Sequence, residues 1–134
     1  MLRLLAVFTT LCLWLAACGD FGNVTRGAAS YEQHCAICHG ADLRGGGGVG
    51  VPGLSGIPAD LTLLRVKAGG TFPKAEVLAI LDNYAEGQQR GRMMRPFAHL
   101  YSDQLGRVTT QDGRTRVPRP QADLLAFLIS VQEP

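Results

Sequence analysis

Apolar residues recur at helical spacing in two long segments of this chain, and both segments carry helix-boundary signals. The first follows Pro73, a residue suited to the first turn of a helix, and Gly87 marks its end. The second runs from Pro120 to about Gln132. Their apolar positions predict one broad buried side on each helix: Val77, Leu78, Ile80, Leu81 and Tyr84 in the first, and Leu124, Leu125, Phe127, Leu128 and Val131 in the second.

Two shorter helices are predicted nearer the N-terminus. Asn23 or Thr25 is suited to cap a helix that runs towards His34. Asp60 is suited to cap a second helix, residues 61–67, and a pair of glycines then ends it.

Loops rich in glycine and polar residues connect these helices. The stretch from Gly40 to Gly56 holds no regular element, and we expect its backbone to wrap closely past a bulky bound group, where side chains would not fit. Strand character is limited to residues 106–110 and 115–117, which the turn signal Asp112-Gly113 joins. The pattern therefore predicts an all-α fold of short helices with room for one small hairpin.

Length and charge limit the choice of partners. A chain of 134 residues is long enough for one small domain. Its formal net charge is only +2, whereas a nucleic-acid-binding domain usually carries a strongly basic face. We therefore expect no nucleic-acid partner.

Residues 4–17 are apolar or neutral and follow a single positive charge. This stretch is short for a membrane-spanning helix and typical of a signal-peptide core. It ends in Leu15-Ala16-Ala17-Cys18, which resembles a bacterial lipobox, where the cysteine becomes the N-terminus and carries lipid. We expect residues 1–17 to be a signal peptide and residues 18–24 a lipid-anchored tether at the periplasmic face of a membrane. An ordinary secretory signal and an uncut anchor are the alternatives.

The segment Cys35-Ala36-Ile37-Cys38-His39 carries the strongest chemical signal in the chain. Two thiols at this spacing can each bond to one vinyl group of the same porphyrin, and the adjacent histidine then lies under the iron. The motif predicts one covalently attached c-type haem, held by Cys35, Cys38 and His39. This haem is attached outside the cytoplasm, which agrees with the predicted export. The alternative is a thioredoxin-like redox pair, which favours a strand before the motif, whereas a helix is predicted there.

Further features resemble the class I monohaem cytochromes c over roughly residues 25–132. Gly27 and Tyr31 precede the haem motif at the family's spacing, and Leu124-Leu125-Ala126-Phe127-Leu128 is similar to the family's last helix. The resemblance implies that the first and last helices cross at Gly27, in a domain that covers residues 25–134. It also implies electron transfer between a donor protein and an acceptor protein, with no small-molecule substrate and no enzymatic activity of its own.

The resemblance also implies the groups around the iron. Pro52-Gly53-Leu54 resembles the loop whose proline carbonyl accepts a hydrogen bond from the axial histidine, so Pro52 would orient His39. Met94-Arg95-Pro96-Phe97 resembles the family's methionine loop, and a thioether is a soft ligand that suits this iron. Met94 is therefore expected as the sixth ligand, with Met93 and His99 as the alternatives.

Two other functions fit the same residues. One is a haem enzyme or ligand sensor with an open iron position. The other is a haem-bearing subunit of a larger dehydrogenase or oxidase complex, with residues 101–119 as its contact surface. Arg90, Arg92 and Arg95 surround the methionine loop. They are either solvated surface charges or a docking patch for an acidic redox partner.

Overall fold

The computed structural model of this chain describes residues 22–47, 56–85, 94 and 97–134. In chain order the elements are helix α1 (Val24–His34), α2 (Ala36–His39), α3 (Leu64–Lys67), α4 (Lys74–Ala85), a 3₁₀ helix (Ala98–Leu100), strands β1 (Leu105–Thr110) and β2 (Gly113–Pro118), and helix α5 (Arg119–Ser130). Short helices and one small hairpin were both predicted, and both are confirmed. None of the helices in these residues has the length and apolar character needed to cross a membrane.

Helix α1 crosses α5 at close range. Asn23 caps α1, because its side-chain oxygen accepts a hydrogen bond of 2.8 Å from the backbone N–H of Arg26. At the crossing, a Cβ atom added to Gly27 would lie 2.1 Å from the carbonyl oxygen of Asp123. Only glycine allows this approach, so the predicted crossing and the position of Gly27 in it are confirmed.

Helix α3 begins at Leu64 and is shorter than predicted. The Asp60 side chain caps a turn instead, since it accepts hydrogen bonds from the backbone N–H and the hydroxyl of Thr62, at 2.9 and 2.6 Å. The backbone of Leu61 is occupied elsewhere: its N–H donates to the Leu43 carbonyl, and its carbonyl accepts from the Gln132 side chain, both at 2.8 Å. These tertiary bonds replace the helical bonds of one predicted turn.

The two strands form an antiparallel hairpin in which Thr110 pairs with Gly113 across a two-residue turn. Burial alternates along β1, so Gly106 and Val108 face the core while the residues between them face solvent. The amine of Lys74, at the start of α4, donates a hydrogen bond of 3.2 Å to the Thr109 carbonyl. The hairpin therefore packs on α5 and the first turn of α4.

The hydrophobic core lies between α1, α4, α5 and the hairpin. Its buried residues include most of the apolar positions predicted on α4 and α5: Tyr31, Leu43, Phe72, Val77, Leu78, Leu81, Leu100, Val108, Val117, Ala122, Leu124, Leu125 and Leu128. Helix α5 ends at Ser130, earlier than predicted. The Gln132 side chain donates a hydrogen bond of 2.7 Å to the Leu128 carbonyl and so takes the place of a further helical N–H.

Candidate haem-binding site

An apolar cavity lies where α1, α2, α4 and α5 meet. Fourteen described residues line it: Tyr31, Cys35, His39, Ala59, Leu61, Leu64, Val77, Ile80, Leu81, Met94, Phe97, Leu100, Leu124 and Leu128. Ile80 belongs to the predicted apolar side of α4 yet is 49% exposed, because it borders this cavity instead of the packed core. A large, flat, mostly apolar group would cover these side chains.

The motif helix α2 places His39 in the wall of the cavity. Helix α1 ends at His34, and the backbone N–H of Cys35 donates to the Tyr31 carbonyl at 2.8 Å. The His39 side chain is buried, and its Nδ1 atom lies 3.0 Å from the Ala59 carbonyl oxygen. A carbonyl can only accept, so Nδ1 carries the proton and Nε2 keeps its lone pair for a metal ion.

The Ala59 carbonyl is held in place from two sides. The turn capped by Asp60 follows it directly. On its other side the chain packs against the loop after α2, where a Cβ atom added to Gly45 would lie 2.1 Å from the Pro58 carbonyl oxygen. The backbone N–H of Gly45 in turn donates to the His39 carbonyl at 2.8 Å. Gly45 thus packs closely against the residues that orient His39.

Cys35 and Cys38 are free, half-buried thiols; Cys35 lines the cavity, and Cys38, on α2, is not among the residues that line it. Burial, with a smaller contribution from Cys38, raises the pKa of the Cys35 thiol to about 11. A redox-active Cys-x-x-Cys pair depends on a thiolate with a lowered pKa, because the thiolate is the attacking species. The environment of Cys35 therefore opposes the thioredoxin-like alternative.

Met94 lines the same cavity as His39, although the two residues are far apart in the sequence. Phe97, three residues after Met94, is fixed to α4, since its backbone N–H donates to the Tyr84 carbonyl at 2.9 Å. The Tyr84 and Phe97 rings also pack together, with centroids 6.2 Å apart. A thioether and an imidazole are thereby brought to one apolar site.

His99, the alternative ligand on the 3₁₀ helix, is not among the residues that line the cavity. Its ring stacks on that of His34, with centroids 3.6 Å apart and planes at 24°. Burial, and then the charge of His34, lower the pKa of His99. The two histidines therefore form a pair beside the haem motif.

Several predicted positions lie outside the described residues: Cys18, Pro52, Met93, Arg90, Arg92 and Arg95. The role expected of the Pro52 carbonyl is filled in the structure by the carbonyl of Ala59, which sequence reasoning did not identify. A backbone carbonyl has no side-chain signature. The nearest sequence signal is the Asp60 cap, which fixes the chain immediately after it.

The donor set of the site fits a covalently bound haem. Cys35 in the cavity wall and Cys38 on α2 supply two thiols that can form the thioether links, an imidazole nitrogen is aimed by its hydrogen bond, and a thioether sulfur shares the cavity. The apolar wall suits the face of a porphyrin. When bound, this group supplies a one-electron couple at its iron, while the protein positions the ligands and excludes water.

Comparison with known proteins agrees with this chemistry. The chain matches the family model for cytochrome c over residues 24–110, which is more than half of its length. No curated protein and no solved structure matches it. The cytochrome c family binds c-type haem covalently, with one haem in a single small domain. The chain therefore belongs to the cytochrome c family and is a haem-based electron carrier.

Proposed function

We propose that this electron carrier binds its iron through His39 and Met94 and works outside the cytoplasm, tethered to a membrane by lipid on Cys18. The observation that carries the ligand set is the shared cavity, which His39 and Met94 both line. With both axial positions filled by side chains, no substrate binds at the metal. The protein then transfers electrons between a donor and an acceptor protein and is not an enzyme in its own right.

The surroundings of these ligands suit a high reduction potential. Pairing histidine with a thioether raises the potential of a haem. An apolar environment also disfavours the more highly charged oxidised iron. The cavity wall is formed by aliphatic and aromatic side chains such as Leu81, Leu124 and Phe97. A carrier of this type accepts electrons readily and passes them to a stronger oxidant.

Spectra of the exported holoprotein test the ligand set. A low-spin spectrum with the weak near-infrared sulfur–iron band is expected for the ferric wild type and for Met93→Leu. The Met94→Leu variant should lose this band and shift to a lower potential, because the thioether is gone. If the band disappears in Met93→Leu and survives in Met94→Leu, the sixth ligand is Met93.

The location rests on the sequence of the first eighteen residues and on the haem motif, which is loaded outside the cytoplasm. Stable anchoring needs more than one acyl chain, and a lipidated N-terminal cysteine carries several. Metabolic labelling with radioactive palmitate should mark the wild type and leave the Cys18→Ser variant unlabelled. The Cys12→Ser variant is the matched control and should be labelled like the wild type. Equal labelling of the Cys18→Ser variant would contradict the lipid anchor.

A second candidate is a haem-bearing subunit of a dehydrogenase or oxidase complex. The observation that favours it is the hairpin, an exposed element that lines no part of the haem cavity. Isolation of the native protein under mild conditions distinguishes a free electron shuttle from a complex subunit. A free shuttle elutes alone, whereas a subunit co-purifies with a stoichiometric partner.

A further inference from the structure

The outward side of the hairpin carries three arginines that electron transfer at the haem does not use. In the antiparallel register Arg107 lies opposite Arg116, and Thr109 lies opposite Arg114. Residues on β1 alternate between core and solvent, and Arg107 is on the solvent side. Residues that pair across the two strands lie on the same face of the hairpin. Arg107, Arg114 and Arg116 therefore lie on one face. We name these three residues the arginine face.

Within the described part of the chain, Arg114 and Arg116 form no ion pair. Asp112 is the one acidic residue between Leu105 and Pro118, and it lies in the turn. Like charges at directly opposed positions disfavour an antiparallel pair. Arg114 and Arg116 therefore leave positive charge on this side of the hairpin, which an anionic group can neutralise.

Helix α4 separates the arginine face from the haem cavity. Successive residues of a helix are about 100° apart, so residues 75, 78, 79 and 82 share one side and residues 77, 80 and 81 share the opposite side. The first set lines a groove against the hairpin, which Asp112 and Arg116 also line, and the second set lines the haem cavity. A partner bound to the hairpin thus sits away from the haem side.

We propose that the arginine face binds an acidic surface of a partner protein and holds the domain with its haem side free. Guanidinium groups bind carboxylates through two parallel hydrogen bonds, which a lysine cannot do. The same side of the hairpin ends in an apolar pair, Leu105 opposite Pro118, and Leu105 is 48% exposed. Arginines beside an exposed apolar residue are typical of protein interfaces. Binding to anionic lipid usually needs about four to eight basic residues, more than this face holds.

The size of the arginine face predicts a weak, short-lived contact. Each strand has 6 residues, so the hairpin is about 20 Å long. A stable complex usually buries about 800 Å² on each partner, which is more than one side of so short a hairpin offers. Charge complementarity at such a contact mainly accelerates association and is weakened by salt. The proposal does not depend on which methionine binds the iron.

Nuclear magnetic resonance titration of the reduced holoprotein tests the proposal, with a synthetic peptide of alternating Asp and Glu residues as the probe. Backbone signals of residues 105–118 should shift on binding at low salt and return when salt is added. Binding should weaken about threefold in Arg116→Gln and about tenfold in Arg114→Gln/Arg116→Gln. Lys67→Gln is the matched single-charge control, since Lys67 is an exposed cation at the end of α3, and it should change binding less than twofold.

Three results would overturn the proposal. In the first, the peptide shifts signals outside the hairpin and leaves residues 105–118 unchanged. In the second, Lys67→Gln weakens binding as much as Arg116→Gln does. In the third, the protein binds phosphatidylglycerol vesicles and not the peptide, which assigns the face to a membrane. The rate of oxidation by ferricyanide should be the same in wild type and Arg116→Gln, so the test is separate from electron transfer itself. If the double variant fails to fold, Arg116→Gln alone decides.

Discussion

The Nδ1 atom of His39 lies 3.0 Å from the carbonyl oxygen of Ala59. This hydrogen bond fixes the orientation and the tautomer of the ring, so that Nε2 is the nitrogen left to bind metal. It also increases the electron density of the ring and makes Nε2 a stronger donor. With haem bound through Nε2, as we propose, a stronger donor would favour oxidised iron, so the bond would lower the reduction potential.

Gly45→Ala should weaken this hydrogen bond and raise the reduction potential. Gly45 has φ +80°, and an added Cβ atom would lie 2.1 Å from the Pro58 carbonyl oxygen, so the chain at Ala59 must move. Loss of about 1 kcal/mol of hydrogen bonding in the oxidised state corresponds to a rise on the order of 40 mV. A potentiometric titration measures the reduction potential of each variant. Gly46→Ala is the control, because among the described residues, chain neighbours aside, no atom lies within 4 Å of a Cβ added there. An equal shift in both variants would contradict this account.

Gly27→Ala should destabilise the holoprotein by about 2 kcal/mol, the usual effect of overpacking a close contact. The added Cβ atom would lie 2.1 Å from the Asp123 carbonyl oxygen and 2.7 Å from Cβ of Phe127. Helices α1 and α5 must then move apart, which outweighs the gain of about 1 kcal/mol in helix propensity. Urea unfolding measures the change, and Gly46→Ala should stay within about 0.5 kcal/mol of wild type. Unchanged stability of Gly27→Ala would show that the crossing adapts freely.

Asp123→Ala should destabilise the same crossing by about 2 kcal/mol, because a buried acceptor is lost. The Asp123 side chain is 6% exposed and accepts from the backbone N–H of Asn23 at 2.6 Å and from the Arg26 guanidinium. Glu133→Ala is the matched control: its partner Arg44 is also an arginine, but the Arg44 and Glu133 side chains are 53% and 38% exposed, so neither is buried. Glu133→Ala should lower the free energy of unfolding, measured with urea, by about 0.5 kcal/mol or less. Equal effects in the two variants would mean that burial of Asp123 contributes nothing.

Elements with local signals were predictable from the sequence. The cap at Asn23, the glycine at the helix crossing and the turn at Asp112-Gly113 each depend on residues close in the chain or on the size of one side chain. The haem motif is also local, so the position of His39 beside the cavity followed from it. Local sequence signals therefore predicted the helices, the hairpin and one side of the site.

Features that depend on distant backbone groups were not predictable. The late start of α3 follows from hydrogen bonds between Leu61 and two residues far away in the chain, Leu43 and Gln132. The partner of His39 is a carbonyl, which every residue has, so no residue type marks Ala59. The stack of His34 on His99 likewise joins two residues that no periodicity relates. Such contacts are set by tertiary packing.

The stability of the holoprotein should depend on pH through His99. Burial first, and the charge of His34 second, lower the pKa of His99 in the folded protein. As pH falls below about 6.5, the ordinary pKa of histidine, the unfolded chain binds this proton before the folded protein does. The free energy of unfolding therefore decreases as pH falls through the unfolded pKa and then the folded pKa, and this contribution is fully present only above that window.

Urea unfolding of the holoprotein at several pH values between about 5 and 7.5 should show this decrease, and it should be smaller in His99→Gln. In His34→Gln the charge that opposes protonation is gone, so a resonance titration of the His99 ring should give a higher pKa than in wild type. Glu32 lies on the same helix α1 as His34, so Glu32→Gln is the control. It should leave the titration of His99 unchanged. If His99→Gln has the wild-type pH dependence, the buried ring does not couple folding to protonation, and the stack with His34 is then a packing contact alone.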